Sequence, residues 1–191
     1  MIRRRKKVLL EKYLINHCAP TLASIKTANL FCCTVKSETE LKNQLKELNI
    51  QFYKKGLFLM VLRRRENKAL IYVYRRSYLQ MDLQKDGVAQ LLSEYGYQNT
   101  NVGYALNRLK LRLKENESFP HEIGLFLGYP LGDVIGFIRN EGKNCKCTGC
   151  WKVYCNECEA MKQFAQFQKC KEIYTQLWNN GKTVWQLTVA A

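Results

Sequence analysis

Apolar residues recur at helical spacing over most of the chain and form two dense short runs before its middle. Val8, Leu9, Leu10, Tyr13 and Leu14 fall on one side of a helix expected over 4–16. Pro20 disfavours helical geometry at Ala19, so the segment His17-Cys18-Ala19-Pro20-Thr21-Leu22 is expected to end that helix. A short buried piece follows from Ala28 to Val35 and carries Cys32 and Cys33. Ser37-Glu38-Thr39-Glu40 has the spacing of a capping box and opens a helix with Leu41, Leu45 and Leu48 on one face. Leu57 to Leu62 and Ala69 to Tyr74 are aliphatic, β-branched and aromatic, with Arg64-Arg65-Glu66-Asn67 suited to a turn between them. These runs predict a β-hairpin, and strands so apolar are expected to be covered on both faces.

Helical spacing then returns. Ser77 to Lys85 is broken by Asp86-Gly87, and Val88 to Tyr95 is stopped by Gly96. Thr100 is the expected cap of a helix with Leu106, Leu109 and Leu113 inward and Arg108, Lys110, Arg112 and Lys114 outward. Ser118 and Pro120 suit the first turn of a buried helix running through Ile123, Leu125, Phe126 and Leu127, which Gly128 can end in a left-handed turn. Leu131 to Ile138 is a further helix, with Val134, Ile135 and Ile138 inward and Gly142 as its stop. Cys150 to Cys155 is an expected strand. Asn156 caps a long helix with Ala160, Phe164, Phe167, Ile173 and Leu177 as its stripe, and Val184 to Val189 is an expected strand. The order of elements predicts an α+β fold: a small sheet built around a β-hairpin at about 57–75, packed by several helices, with a long C-terminal helix. One domain over 1–191 is expected, with a cysteine-rich sub-site at 143–158.

Composition changes this picture in two respects. The net charge is +15, which attracts nucleic acid, acidic proteins or anionic cofactors, although no nucleic-acid module with interleaved aromatics is visible. Nine cysteines in a chain with no visible export signal point to reduced thiols in the cytoplasm rather than a disulfide scaffold. No apolar run is long enough to span a membrane.

Candidate chemistry gathers at two places. His17 and His121 are the two histidines. Each sits at a helix boundary beside a proline, with Cys18 next to the first and Glu122 next to the second. A thiol beside a histidine can ionise, and a histidine with a carboxylate can bind a metal or haem iron. Cys145, Cys147, Cys150, Cys155 and Cys158 form the other group. The pairs Cys147/Cys150 and Cys155/Cys158 have the CxxC spacing of thiolate ligation to zinc or an iron–sulfur cluster, with Cys145 a further candidate. A four-residue strand between the pairs would hold them about 13 Å apart, too far for one ion. Spectator thiols and a redox dithiol are the other readings. Gly124, Gly128, Gly132 and Gly136 recur every four residues, a spacing that suits close helix packing; the phosphate-loop motif is absent.

Four segments carry a resemblance: His17 to Leu22; Lys26-Thr27-Ala28-Asn29-Leu30-Phe31; His121 to Pro130 with Asp133 to Ile138; and Gly149 to Tyr154. In these the chain resembles the domain of unknown function 3793 family, bacterial proteins of about this length, mostly from anaerobic Firmicutes. No activity is assigned to that family. Its members often lie near flavodoxin and iron-uptake genes, which implies redox or iron-cofactor handling in a low-oxygen cytoplasm. Both histidines fall within the matched segments, whereas most of the clustered cysteines do not.

Three functions therefore stand open. The first is a redox-associated or cofactor-handling protein, with His17, Cys18, His121 and Glu122 lining one pocket and zinc or iron (haem or iron–sulfur) as the implied cofactor. Its basic face would dock an acidic electron-transfer protein such as a flavodoxin. The second is a basic module binding nucleic acid or an acidic partner. The third is a structural zinc protein.

Overall fold

The computed structural model describes residues 2–115 and 118–190, with side chains from Leu10 onward. The basic run Arg3–Lys7 and the apolar positions Val8 and Leu9 lie outside the described side chains. In chain order the elements are α1 (Ile2–Leu22), β1 (Ala28–Thr34), α2 (Glu38–Phe52), β2 (Leu57–Arg65), β3 (Lys68–Arg75), α3 (Arg76–Leu83), α4 (Val88–Glu94), α5 (Val102–Glu115), α6 (Ile123–Phe126), α7 (Leu131–Arg139), β4 (Cys147–Thr148), β5 (Lys152–Val153), α8 (Glu157–Asn179) and α9 (Val184–Leu187). This is the expected α+β fold with its hairpin and long C-terminal helix. The chain divides into two units, one made of 1–77 and 169–191, the other of 78–168.

The first unit is built on a three-stranded antiparallel sheet in the order β1-β3-β2. Glu66 takes a left-handed conformation in the tight turn of the hairpin, and Leu62 is bulged out of the β2–β3 register. Ala69 to Val73 in the central strand are all buried. One sheet face, with Phe31, Leu57, Leu59, Ile71 and Val73, packs into a core with Leu14, Ile15 and Leu22 of α1 and Leu45, Leu48 and Phe52 of α2. Ser37 caps α2 as expected, its Oγ accepting from Glu40 N at 3.3 Å. β2 is an edge strand, and Asn49 of α2 occupies that edge. The Asn49 side chain donates to Leu59 O at 2.9 Å and accepts from Leu59 N at 2.8 Å, which stands in for a missing strand neighbour.

α1 does not stop before Pro20. It runs to Leu22 with the proline inside it. Arg75 supplies the reason. This arginine is fully buried, and its guanidinium donates to Thr21 O at 2.7 Å and Leu22 O at 2.8 Å. Those are carbonyls that a helix end leaves without partners. The same guanidinium donates to Lys55 O at 3.1 Å and Val189 O at 2.8 Å. One side chain therefore ties down the end of α1, the turn before β2 and the segment after α9. The expected strand at Val184 to Val189 is instead the short helix α9. Thr183 caps it with a complete capping box, and this local signal outweighs the β-branched composition of the segment.

The second unit is helical apart from the two-stranded ribbon β4–β5. Gly87 and Gly96, at positive φ, separate α3, α4 and α5 at the expected places. The cap of α5 is Asn101 rather than Thr100, since its Oδ1 accepts from Gly103 N at 3.0 Å. The buried helix expected from Pro120 is a single turn. Pro120 and His121 lie in the turn ahead of α6, whose N-terminal position is Glu122 and not Ser118. Gly128 ends that turn with φ 75°. Along α8 the buried stripe passes through Tyr174, while Ile173 is exposed. The stripe keeps a 3.6-residue period from Ala160 through Phe167, which places position 174 inward and 173 outward.

Replacing Arg75 with methionine removes the guanidinium donor from four carbonyls, of which Thr21 O and Leu22 O keep the backbone donors Ser24 N and Val189 N. We expect a loss of about 3–5 kcal/mol of stability, measured as a lower urea midpoint with an unchanged slope.

Candidate functional site

The second unit contains a hollow of about 320 Å³ whose lining includes the rings of Phe119, His121, Tyr129, Phe137 and Trp151, with aliphatic side chains between them and Lys152 at its side. Each wall has a local cause. α6 buries Ile123 through Phe126, which leaves His121, one residue before its cap, exposed at the surface. Gly124 makes room for α7, since a Cβ there would lie 2.8 Å from a Val134 methyl. The His121 ring meets the Phe137 ring of α7 at 4.9 Å between centroids. Among the described residues no side-chain hydrogen bond engages the His121 imidazole.

The opposite wall is the β4–β5 ribbon. Its register pairs Cys147 with Val153 and Thr148 with Lys152, and Gly149 N donates to Trp151 O at 3.0 Å. Cys150 and Trp151 therefore belong to a tight turn, not to the strand expected from Cys150 to Cys155. Asp133 enforces that turn. This buried carboxylate on the first turn of α7 accepts from Trp151 Nε1, Tyr154 N and Cys155 N, each at 2.8 Å. Trp151 is thereby drawn inward, stacked on Tyr129 at 4.9 Å and set edge-on to Phe164 at 4.5 Å. The Tyr129 hydroxyl donates to Cys150 O at 3.2 Å, and burial pushes its pKa up to about 12, with Cys150 adding to the rise. Lys152 Nζ donates to Gly142 O at 2.7 Å and lies 6.0 Å from the centre of the Phe137 ring.

The glycines that recur every four residues serve this contact rather than a helix pair alone. A Cβ at Gly132 would stand 2.4 Å from the Cys155 sulfur, and one at Gly136 would stand 2.4 Å from the Tyr154 ring. The ribbon can lie on α7 because those side chains are missing.

Glu122 is adjacent to His121 in sequence but serves a different purpose. It is fully buried. Its Oε1 accepts from Arg112 Nε and from the Tyr97 hydroxyl, the latter at 3.2 Å. Arg112, expected on the outer side of α5, is only 16% exposed on its side chain because it makes this pair. Burial and the Glu122 carboxylate together push the Tyr97 phenol well above its ordinary range. The arrangement fastens α6 to α5; it does not orient the His121 ring.

His17 and Cys18 belong to the first unit, whereas His121 and Glu122 belong to the second. His17 is exposed, and its ring meets Tyr13 at 5.8 Å and Phe31 at 5.7 Å, two rings that also meet each other at 5.4 Å. Burial of the ring, followed by repulsion from Lys171, lowers its pKa below 6.5. Cys18 faces inward, fully buried among Leu14, Leu22 and their neighbours. Burial drives its thiol far above the ordinary range, against a smaller opposing effect of Lys26, so the neutral thiol is favoured over the thiolate.

The clustered cysteines surround the ribbon. Cys145 and Cys147 are half-buried, while Cys150, Cys155 and Cys158 are exposed. The Cys145 sulfur lies 3.4 Å from Thr148 Oγ1. Cys147 is raised in pKa by burial and then by Glu157, and Cys155 by burial and then by Asp133. Among the described residues no group of three or more His, Cys, Asp or Glu side chains is placed to hold a metal ion. None of the described helices is long and apolar enough to cross a membrane.

Residue typing alone missed Asp133, Trp151, Tyr129 and Phe137. A signal for all of them was present: they fall in the two later segments that carry the family resemblance, and those two meet around one hollow.

Two outcomes follow from these contacts. Asp133→Asn turns an acceptor oxygen into a donor facing N–H groups. Stability should fall by about 1–3 kcal/mol, and Trp151 emission should shift to the red in the folded state. For His17, the unfolded chain binds the proton more tightly than the folded one. Stability should therefore rise with pH between the lowered folded pKa and 6.5. His17→Phe should flatten that rise, and the imidazole resonance of His17 should titrate below 6.5.

No match was found among curated proteins or among solved structures. A family model described as "Protein of unknown function (DUF3793)" matches residues 14–188. That span includes both histidines, the whole second unit, most of the first and every wall of the hollow, and on it the chain belongs to the DUF3793 family.

Proposed function

We propose that the chain binds a small, flat, anionic molecule in the hollow of the second unit, keeping the cofactor-handling half of the expectation drawn from its sequence. The observation that carries this reading is a 320 Å³ hollow walled by Phe137, Tyr129 and Trp151, with the open imidazole of His121 at its mouth. That volume lies at the small end of the range for ligand sites, enough for one ring system with a short polar arm. Aromatic walls favour a planar guest. Lys152 supplies positive charge beside the ring of Phe137, and the net charge of +15 favours arrival of an anion. His121 would donate to, or ligate, the polar part of the guest.

Catalysis by Cys18 or Glu122 gains no support. The first is a buried, neutral thiol and the second is held by Arg112 and Tyr97. A redox role would come from the guest rather than from these side chains.

The test is a titration of the full chain with flavin mononucleotide and with adenosine monophosphate, followed by quenching of tryptophan emission. Riboflavin and inorganic phosphate serve as controls. At least one of the two nucleotides should bind saturably, the controls more weakly. His121→Ala and Lys152→Gln should each weaken binding by about tenfold, the equivalent of one charged hydrogen bond. No saturable quenching by either nucleotide, or equal affinity in both variants, overturns the reading.

A further inference from the structure

A second surface, made only of residues in the first unit, has an unexplained exposure of rings. Tyr53, just after α2, is 69% exposed, and Ile50 is 67% exposed. With Lys46, Asn49 and Phe58 they line an open hollow of about 600 Å³. The rings continue from there as a ladder. Tyr53 meets Phe58 edge-on at 6.0 Å, Phe58 stacks on Tyr74 at 5.6 Å, and Tyr74 stacks on the buried Tyr72 at 5.0 Å. The floor is fixed, because Asn49 is pinned to the Leu59 backbone by two hydrogen bonds.

Cations border this ladder. Lys46 lines the hollow, Lys54 follows Tyr53 in sequence, and Arg76 lies close enough to Tyr74 to act on its phenol; all three are exposed. Glu47 is the acid beside them in sequence. Flat rings at a spacing of 5–6 Å, bordered by cations in a chain of net charge +15, combine the two features used to hold single strands. Every unpaired base has a face to stack, and every nucleotide carries a phosphate. A duplex hides its base faces, and an acidic polypeptide offers a flat ring only where it carries an aromatic residue, whereas each nucleotide brings both a base and a phosphate.

We propose that this face binds single-stranded nucleic acid, with a base stacked on the exposed Tyr53 ring against the edge-on Phe58, and phosphates held by Lys46, Lys54 and Arg76. The site is independent of the hollow at His121, since none of its residues belongs to that unit.

The experiment is fluorescence anisotropy of a short labelled oligouridylate titrated with the full chain between about 50 and 200 mM salt. Binding should weaken steeply as salt rises. Tyr53→Ala should weaken it by about tenfold or more. The double variant Lys46→Glu, Lys54→Glu should weaken it further and reduce the salt slope by about one per residue. All three side chains are exposed, so thermal melts should not change, and His121→Ala should bind as the wild type does. Four results would overturn the proposal: no binding at the lowest salt, wild-type affinity in Tyr53→Ala, competition by a duplex as strong as by the single strand, or tighter binding of polyglutamate than of the oligonucleotide.

Discussion

A ribbon of two residues per strand has too little surface to hold itself together in water. The β4–β5 ribbon exists because one carboxylate grips it. Asp133 collects the indole N–H of Trp151 and two consecutive backbone N–H groups, so the ribbon, its turn and the indole move as one piece with α7. The hollow beside His121 follows from that grip. Without it, Trp151 would have no fixed orientation and Tyr129 nothing to stack against. The rings of the site are held by main-chain geometry as much as by their own contacts, which is how a binding surface gains rigidity without a large sheet.

Periodicity made most of the fold legible. The hairpin, α2, α5 and α8 were readable from their apolar spacing, with the caps of α2 and α8 where the sequence put them and that of α5 one residue later. Two of the errors occurred where a distant residue overrides a local rule, and one where a local signal overrides composition. Pro20 should end a helix, yet α1 continues because Arg75, more than fifty positions away, takes its terminal carbonyls. Val184 to Val189 has strand composition, yet a capping box at Thr183 sets the helix first. Cys150 and Trp151 resemble the start of a strand only if Asp133 is ignored.

The site was legible in location but not in composition. His121 marked the place, and neighbours in sequence were weighed as its partners. Much of what surrounds it comes from farther along the chain: Tyr129 just before α7, Phe137 of α7, and Trp151 and Lys152 of the ribbon. Adjacency misled most for Glu122. On a tight turn two consecutive side chains diverge, and this one is taken up by Arg112 and Tyr97. The cysteine spacing was equally suggestive and carries less, because spacing along a chain fixes nothing about where sulfurs point. The aromatic ladder of the first unit was invisible for the opposite reason. Its rings are contributed one or two at a time by three elements, so no window of sequence contains the pattern.

The guanidinium of Arg75 also bears on the order in which the molecule can be assembled. Its four acceptors come from residues 21, 22, 55 and 189, and the unit it anchors is interrupted by the whole of the other one. On the ribosome, residues 78–168 emerge as an uninterrupted stretch, able to pack while the chain is still growing. The sheet-bearing unit must wait for the stretch beyond 169. Until Val189 has been made, Arg75 holds an unfinished set of ligands, so a nascent chain halted before that point carries a buried cation with one seat unfilled.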